Sequence, residues 1–409
     1  MGEAGAAHGE RRYYGLDALR GGMMMLGIVL HSAELYLART PPQVPIPSDR
    51  NTSLVCDLLF NLIHAFRMPT FFLLAGFFSA LLVERRGLWG TYKNRAARVL
   101  APLAVALVTI LPLTILLMLD FFMAAKYGVY ELLPDRADLM RFRSELIAQG
   151  HPADKPSPLH LWFLIYLCYF YLLLPACGWL ARFLRRWERS VQGALGSPLC
   201  VVPLALFAAA TLLPYRGAQL LEGFVFFEPH PPSLLYYGAF FVIGYLCRSY
   251  PALFETARRH APAFGVAGAA LFAAALYASH LEYTQGPGGG VHLAAALANG
   301  LCTWALVCFF VGAALRWFDY PSTWILYASQ SSYWVFLVHM PLVGLGAWGL
   351  ARYDVPALVK FPLVLVFVSA GCFLSYHYLV QRTWMSAFLN GKRFNLPVPW
   401  QASAALSRG

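Results

Sequence analysis

Charged residues are scarce in this sequence. Asp, Glu, Lys and Arg make up 12% of the 409 residues and hydrophobic residues 59%, whereas a soluble domain has about 25% charged residues. A soluble chain cannot bury so much apolar surface, because a single core stops growing at about 250–300 residues. A bilayer accommodates it, since membrane helices present apolar side chains to lipid on every side. The composition therefore predicts a polytopic membrane protein.

The sequence also lacks long basic runs and metal-binding spacings. The formal net charge is +11, but no basic block is long and the aromatic residues are evenly spread, which argues against nucleic-acid binding. The eight cysteines are scattered and form no CxxC pair. They therefore predict neither disulfides nor a metal centre.

Hydrophobic stretches long enough to cross a membrane recur along the chain. A span needs about 20 mostly apolar residues, and turn-forming segments separate the stretches. The predicted helices lie near residues 18–38, 56–83, 98–123, 159–181, 198–214, 233–248, 263–281, 292–315, 323–349 and 357–380. We expect an all-α polytopic fold with about ten transmembrane helices, in which residues 1–17 precede the membrane domain of residues 18–380 and residues 381–409 form a tail.

Lys and Arg are unevenly divided between the two sets of alternate loops. The set that includes both termini carries about twice as many as the other, and cytoplasmic loops carry such an excess. Its richest members are the loops 84–98, 182–197 and 248–262. Both termini are therefore predicted to be cytoplasmic.

The first predicted helix carries ionisable residues at membrane depth, where each charge costs about 2.5–3.5 kcal/mol. Arg20 and His31 are eleven residues apart, which places them on one face about 16 Å apart along the axis. Asp17 and Glu34 lie three residues from Arg20 and His31, within reach on the same face. The spacing predicts an Asp–Arg unit and a His–Glu unit on one stripe; the alternative is an interface marker and an ordinary core histidine.

Further histidines fall at the predicted depth of His31. They are His64, His160 and His339. We expect these side chains to gather with His31 near Arg67 and Glu34. The helices carry neither a His-x₃-His pair nor an HExxH motif, so the histidines do not predict a zinc site.

Arg95 and Arg98 open the third predicted helix in the stretch YKNRAARVLAP (92–102). Residues three apart on a helix are neighbours, so both guanidiniums are expected to point the same way. The planar fork of arginine binds phosphate bidentately, and the pair therefore predicts a site for a phosphate-bearing anion. The alternative is a positive-inside signal that contacts lipid phosphates.

Four stretches together resemble the acyltransferase-3 family of bacterial membrane O-acyltransferases. They are GLDALRGGMMMLGIVLHS (15–32), FRMPTFFLLAGFFSALLVERRG (66–87), YKNRAARVLAP (92–102) and SSYWVFLVHMPLV (331–343). The Arg-x₁₀-His motif of the family falls on Arg20 and His31, and its Arg-x-x-Arg motif falls on Arg95 and Arg98. Within the family, the chain most resembles the glucans biosynthesis protein C group.

The resemblance implies an enzyme of the bacterial inner membrane that moves an acyl group from cytoplasmic acyl-CoA to a sugar hydroxyl of an extracytoplasmic glucan or other glycan. The donor it suggests is succinyl-CoA, with acetyl-CoA as the alternative, and no metal is expected. Arg95 and Arg98 would hold the phosphates of CoA with help from Arg20, while the pantetheine arm reaches towards His31. Membrane lipids and proteins of glucan synthesis are the other expected partners.

In this scheme His31 removes the proton of the sugar hydroxyl as a general base, and Glu34 orients its ring. An oxyanion stabiliser is also needed; Arg67 or a donor from Ser331, Ser332 or Tyr333 is the candidate. The expected substrate-binding residues are Arg67, His64, His160, Trp162, Tyr333 and His339. Direct transfer and transfer through an acylated Ser331 or Ser332 both remain open.

Two other classes of protein fit part of the pattern. Buried charge is also typical of a substrate path, so the first alternative is a secondary transporter or flippase for an anionic or sugar-linked solute. The sequence shows no paired halves with matched broken helices, which such transporters have. The second alternative is a non-catalytic scaffold for glucan synthesis.

Overall fold

The computed structural model describes residues 13–39, 48–133, 135–148, 157–215, 227–228, 230–286 and 288–394, with the side chain of residue 146 left out. These residues form helices and contain no β-strand; an isolated bridge joins Leu37 and Ser53. The helices are α1 Tyr14–Glu34, α2 Leu54–Arg95, α3 Ala101–Val108, α4 Ile110–Tyr127, α5 Arg136–Ala148, α6 Trp162–Leu172, α7 Leu174–Leu184, α8 Glu188–Leu195, α9 Val201–Leu212, α10 Pro231–Ser249, α11 Ala252–Arg259, α12 Ala261–Gln285, α13 Gly289–Trp317, α14 Thr323–Ala351, α15 Ala357–Ser375 and α16 Trp384–Asn390.

Several of these helical segments are long and apolar enough to cross a membrane. Within the described ranges they are Leu54–Val108, Ile110–Tyr127, Ala261–Gln285, Gly289–Trp317, Thr323–Ala351 and Ala357–Val380. A seventh span is obtained if Leu159–Leu172 and Leu174–Leu195, which are bent by 53°, cross together. An all-helical, multi-pass membrane protein is therefore confirmed.

The predicted count of ten spans is not established by this criterion. Helices α1, α9 and α10 lie where the remaining spans are predicted, but they are not among the segments that satisfy it. Helix α9 has only 12 residues, and α1 contains the ionisable stripe. Residues 1–12 and 395–409 of the predicted terminal segments lie outside the described residues, whereas α16, inside the predicted tail, packs against α14.

Breaks in the helices coincide with proline and glycine. Pro175 stands in the first turn of α7, beside the bend between α6 and α7. The helix breaks here because proline has no backbone N–H to donate the hydrogen bond that would continue α6. Gly87 interrupts α2 with a φ of 67°, a left-handed conformation that glycine adopts without a Cβ clash. A π-helical turn, Ala96–Leu100, then leads into α3. These breaks shape the segment that carries Arg95 and Arg98.

The close crossing of α2 and α10 depends on two glycines. A Cβ on Gly76 would collide with the carbonyl oxygen of Phe241, and a Cβ on Gly244 would collide with that of Leu73. Small residues let membrane helices approach until their backbones touch. This crossing fixes α10 against the half of α2 that carries His64 and Arg67.

A buried ion pair ties the segment between α1 and α2 to the beginning of α15. The Lys360 ammonium lies 2.8 and 3.0 Å from the two carboxylate oxygens of Asp49, and the side chains are 2% and 1% exposed. The backbone N–H of Asp49 also donates to the carbonyl of Leu35 at 2.8 Å. The chain beyond the His31 end of α1 is thereby anchored.

We predict that Lys360→Met destabilises the protein by about 3–5 kcal/mol, because it leaves Asp49 charged and buried without a partner. Thermal unfolding of the purified protein in nanodiscs measures the loss. The double variant Asp49→Leu with Lys360→Met removes both charges and should recover most of the stability. A single variant as stable as the wild type would contradict the structural role of this pair.

Candidate active site

The last turn of α1 holds the predicted His–Glu unit. His31 Nδ1 lies 2.7 Å from Glu34 Oε2, at the i,i+3 spacing that places both side chains on one face. A carboxylate only accepts hydrogen bonds, so Nδ1 carries the proton and donates it to Glu34. The lone pair of His31 is then on Nε2, where it can accept a proton from a substrate.

Two other histidine rings lie beside His31. The ring centroid of His339, on α14, is 5.3 Å from that of His31 and 5.3 Å from that of His160, in the turn before α6. His339 donates from Nδ1 to the Phe336 carbonyl at 2.8 Å, and His160 donates from Nε2 to the Leu337 carbonyl at 3.2 Å. Their other nitrogens are buried and have no partner among the described residues. Each is therefore an acceptor available to a hydroxyl.

His64 and Arg67 of α2 complete this group. Arg67 is 8% exposed, and its Nε and Nη1 have no hydrogen-bond partner in the described part of the chain. Its guanidinium lies against Gly27, where a Cβ would come within 3.2 Å of Nη1, and close enough to Glu34 and His64 for their charges to interact. A buried donor without a partner is costly, so these N–H groups mark a place for a ligand oxygen.

The structure thus brings together the histidines and Arg67 that the sequence predicted to share one depth. We call His31, His64, His160 and His339 the histidine cluster. Within the described residues, no group of three His, Cys, Asp or Glu side chains is arranged to hold a metal ion. The chemistry that these residues offer is proton transfer and hydrogen bonding.

At the other end of the stripe, Asp17 and Arg20 contact Ser329, a residue that the sequence did not single out. Arg20 Nη2 lies 3.2 Å from Asp17 Oδ1 and 2.5 Å from Ser329 Oγ, and Ser329 in turn donates to Asp17 at 3.2 Å. Ser329 belongs to α14, and no spacing in the sequence distinguishes it from Ser331 and Ser332. The Arg20 side chain is 40% exposed.

Arg95 and Arg98 have different neighbours, although they were expected to point the same way. The Arg95 guanidinium lies 5.2 Å from the ring centre of Tyr171 on α6. Arg98 donates to the carbonyls of Ala387 and Phe388 in the last turn of α16. The π-helical turn that begins at Ala96 rotates the chain less per residue than an α-helix. The arginines therefore face separate helices.

The other predicted site residues have contacts outside the histidine cluster. Tyr333 lies close to Tyr171 and Cys168 of α6, on the side where Arg95 packs. Trp162 is in an aromatic cluster, 5.5 Å between ring centroids from Tyr237 of α10. Ser331 and Ser332 donate to carbonyls of their own helix, at 3.2 and 2.7 Å. Their hydroxyl protons are already used there.

Comparison with known proteins assigns the class. Residues 13–377 match the acyltransferase domain family Acyl_transf_3, and the chain belongs to this family. It is a membrane O-acyltransferase, as the resemblance of its motifs predicted.

The chain is also similar to individual curated proteins. The chain is 26% identical over 351 residues to glucans biosynthesis protein C of Escherichia coli strain K12, covering 81% of this chain and 82% of that protein. It is 27% identical over 349 residues to the protein of that name from Escherichia coli O6:K15:H31 strain 536, covering 81% and 82%. No solved structure is significantly similar to the chain.

We predict that Arg98→Ala loosens the last turn of α16, because the carbonyls of Ala387 and Phe388 lose a charged donor. Hydrogen exchange of residues 384–390 should become about tenfold faster or more. The matched variant Arg95→Ala should leave this exchange unchanged, since Arg95 contacts α6. Equal exchange in both variants and the wild type would show that Arg98 does not cap this helix.

Proposed function

We propose that this enzyme transfers an acyl group from acyl-CoA at the cytoplasmic face of the inner membrane to a sugar hydroxyl of a glucan at the outer face. The observation that carries the proposal is the polarity of α1. The cationic Arg20 stands at one end, and His31, paired with Glu34 and with Nε2 available, stands eleven residues further on. The separation along the axis is about 16 Å, roughly half the hydrocarbon thickness of a bilayer.

Ten spans with both termini in the cytoplasm fit this polarity. Helices α1, α9 and α10, which do not satisfy the criterion of length and composition, lie where spans are predicted. The excess of Lys and Arg lies on the Arg20 side. Arg20 and Arg95 then face the cytoplasm, where the phosphates of acyl-CoA arrive. Arg98 retains its Nε and Nη2 for a phosphate, since Nη1 makes its two bonds to α16.

The reaction follows from the hydrogen bonds of the histidine cluster. Nε2 of His31 takes the proton of the sugar hydroxyl while the hydroxyl oxygen attacks the thioester carbonyl carbon. Negative charge develops on the carbonyl oxygen, and the unpartnered N–H groups of Arg67 stabilise it. The C–S bond then breaks, the CoA sulfur takes the proton from His31, and an ester and free CoA are released. Glu34 stabilises His31 while it is positively charged.

The free acceptor nitrogens of His160 and His339 contribute by orienting the sugar. Both rings are buried beside His31, and in each one ring N–H donates to a backbone carbonyl. The other ring nitrogen therefore presents a lone pair to a hydroxyl. Direct transfer is favoured over an acylated serine, because Ser331 and Ser332 donate within α14. The acceptor is proposed from the curated relatives, whose name refers to glucan biosynthesis, and the acyl group is proposed to be succinyl.

The test is acyl transfer by the purified protein in nanodiscs, with radiolabelled succinyl-CoA or acetyl-CoA and a glucan acceptor. The wild type should label the glucan, and His31→Ala should lose about a hundredfold or more of the rate while it still binds CoA. Glu34→Gln should lose less, because the ring keeps its lone pair.

His260→Ala is the matched control, since this histidine lies between α11 and α12 and outside the cluster. It should retain the wild-type rate. Retained turnover in His31→Ala would remove His31 from the mechanism. Solute uptake without acyl transfer would contradict the enzymatic proposal and favour a transporter.

A further inference from the structure

A cleft with polar and apolar lining residues lies between five helices and includes His64. Its cavity of about 40 Å³ is formed by residues of α2, α9, α10, α12 and α13. The lining residues that could contact a polar ligand include His64, Tyr236, Tyr237, Asn299 and Thr303. The mechanism proposed above uses none of the α9, α12 or α13 residues, so this feature is unassigned.

The chemistry of the lining selects an uncharged ligand with many hydroxyls. Among the lining residues in the described part of the chain there is no Asp, Glu, Lys or Arg, whereas amides, hydroxyls and tyrosine rings are present. A charged ligand would be desolvated here, and none of these described lining residues would supply an Asp, Glu, Lys or Arg counter-charge. Neutral hydrogen-bonding groups beside aromatic faces are what a carbohydrate needs, since its ring has apolar faces and its edge has hydroxyls.

Hydrogen bonds within the wall use the donors of these groups and leave acceptors. Asn299 donates both hydrogens of its amide, to Ser279 Oγ at 3.2 Å and to the Ala295 carbonyl at 2.9 Å. Its Oδ1 therefore remains to accept from a ligand. Tyr236 donates to Thr303 Oγ1 at 3.3 Å, and Thr303 donates to the Ala65 carbonyl at 2.9 Å. The oxygen of Tyr236 is thus also left as an acceptor.

The cleft adjoins the histidine cluster. His64 lines the cavity and lies close enough to both His31 and Arg67 for electrostatic interaction. Tyr237 lines it too, and it also lies near Arg67. A hydroxyl that enters the cavity therefore meets His64, the member of the histidine cluster that lines it.

Hydrogen bonds of His292 bridge three of the helices that line the cleft. His292 of α13 contacts Glu282 of α12 at 2.6 Å from Nδ1, and the Leu213 carbonyl after α9 at 2.8 Å from Nε2. Tyr283, next to Glu282, is 66% exposed. The walls are thus fixed together without a ligand, which limits the ordering that binding requires.

We propose that this cleft is the binding site for the acceptor, and that it takes a neutral carbohydrate whose hydroxyl-bearing arm enters the cavity past His64. The cavity has room for about three water molecules. A hydroxyl-bearing substituent of the sugar therefore fits inside, while the sugar ring stays at the open side of the cleft. This inference rests on the proposed acyl transfer to a sugar, but its binding step is separable from the chemistry.

The experiment measures two affinities on the full chain in nanodiscs without turnover. The probes are a short neutral glucose oligosaccharide and CoA. Asn299→Leu and Tyr236→Phe should each weaken oligosaccharide binding, by about tenfold for Asn299→Leu, the effect of one lost hydrogen bond. Both variants should bind CoA as the wild type does. Arg95→Ala should show the reverse pattern, and Asn51→Leu, in the segment before α2, should change neither affinity.

The outcomes separate the site from the function. Oligosaccharide binding that is absent in the wild type, or unchanged in both cleft variants, overturns the site, even if the wild type transfers acyl groups. Binding that depends on Asn299 and Tyr236 in a wild type that transfers no acyl group supports the site and refutes the transfer. Equal affinity for a carboxylated oligosaccharide would contradict the selection of a neutral ligand. Retained affinity for CoA shows that a variant is folded. If Asn299→Leu does not fold, the result with Tyr236→Phe decides.

Discussion

The hydrogen bond between His31 and Glu34 is the interaction on which the account depends. An ionisable side chain inside an apolar helix bundle persists only where a partner compensates for its desolvation. At 2.7 Å, Glu34 compensates His31 and at the same time fixes which ring nitrogen holds the proton. The contact that compensates for the desolvation of His31 therefore also leaves its Nε2 free of a proton and able to accept one.

The surrounding helices place polar side chains beside this pair. Gly27 makes room for the Arg67 guanidinium on α1, and the carbonyls of α14 hold the rings of His160 and His339. The glycine crossing of α2 and α10 places Tyr237 near Arg67. Donors, acceptors and a base thus converge from four different elements.

Contacts within one helix were predictable from sequence, and contacts between helices mostly were not. The spacing of Asp17, Arg20, His31 and Glu34 predicts both pairs, because three residues is a fixed geometry on a helix. The common depth of the histidines follows from the positions of the spans. Ser329 carries no such signal, since nothing in the sequence says which serine of α14 meets Arg20.

Breaks and caps explain most of the remaining differences. The π-helical turn between Arg95 and Arg98 changes the rotation per residue, and the capping of α16 by Arg98 requires knowing that α16 packs there. The ion pair of Asp49 and Lys360, and the cleft between α2, α9, α10, α12 and α13, depend on tertiary packing of segments distant in the sequence. A criterion of length and hydropathy likewise does not select α1, which carries Asp17, Arg20, His31 and Glu34.

The central claim is that one helix connects a donor at one face of the membrane with an acceptor at the other. Inverted membrane vesicles that carry the protein and enclose glucan test it directly, when membrane-impermeant radiolabelled acyl-CoA is added only outside. The account predicts that label appears on the enclosed glucan and that glucan added outside stays unlabelled. Label only on the outside glucan would contradict it, because donor and acceptor would then meet on the same face.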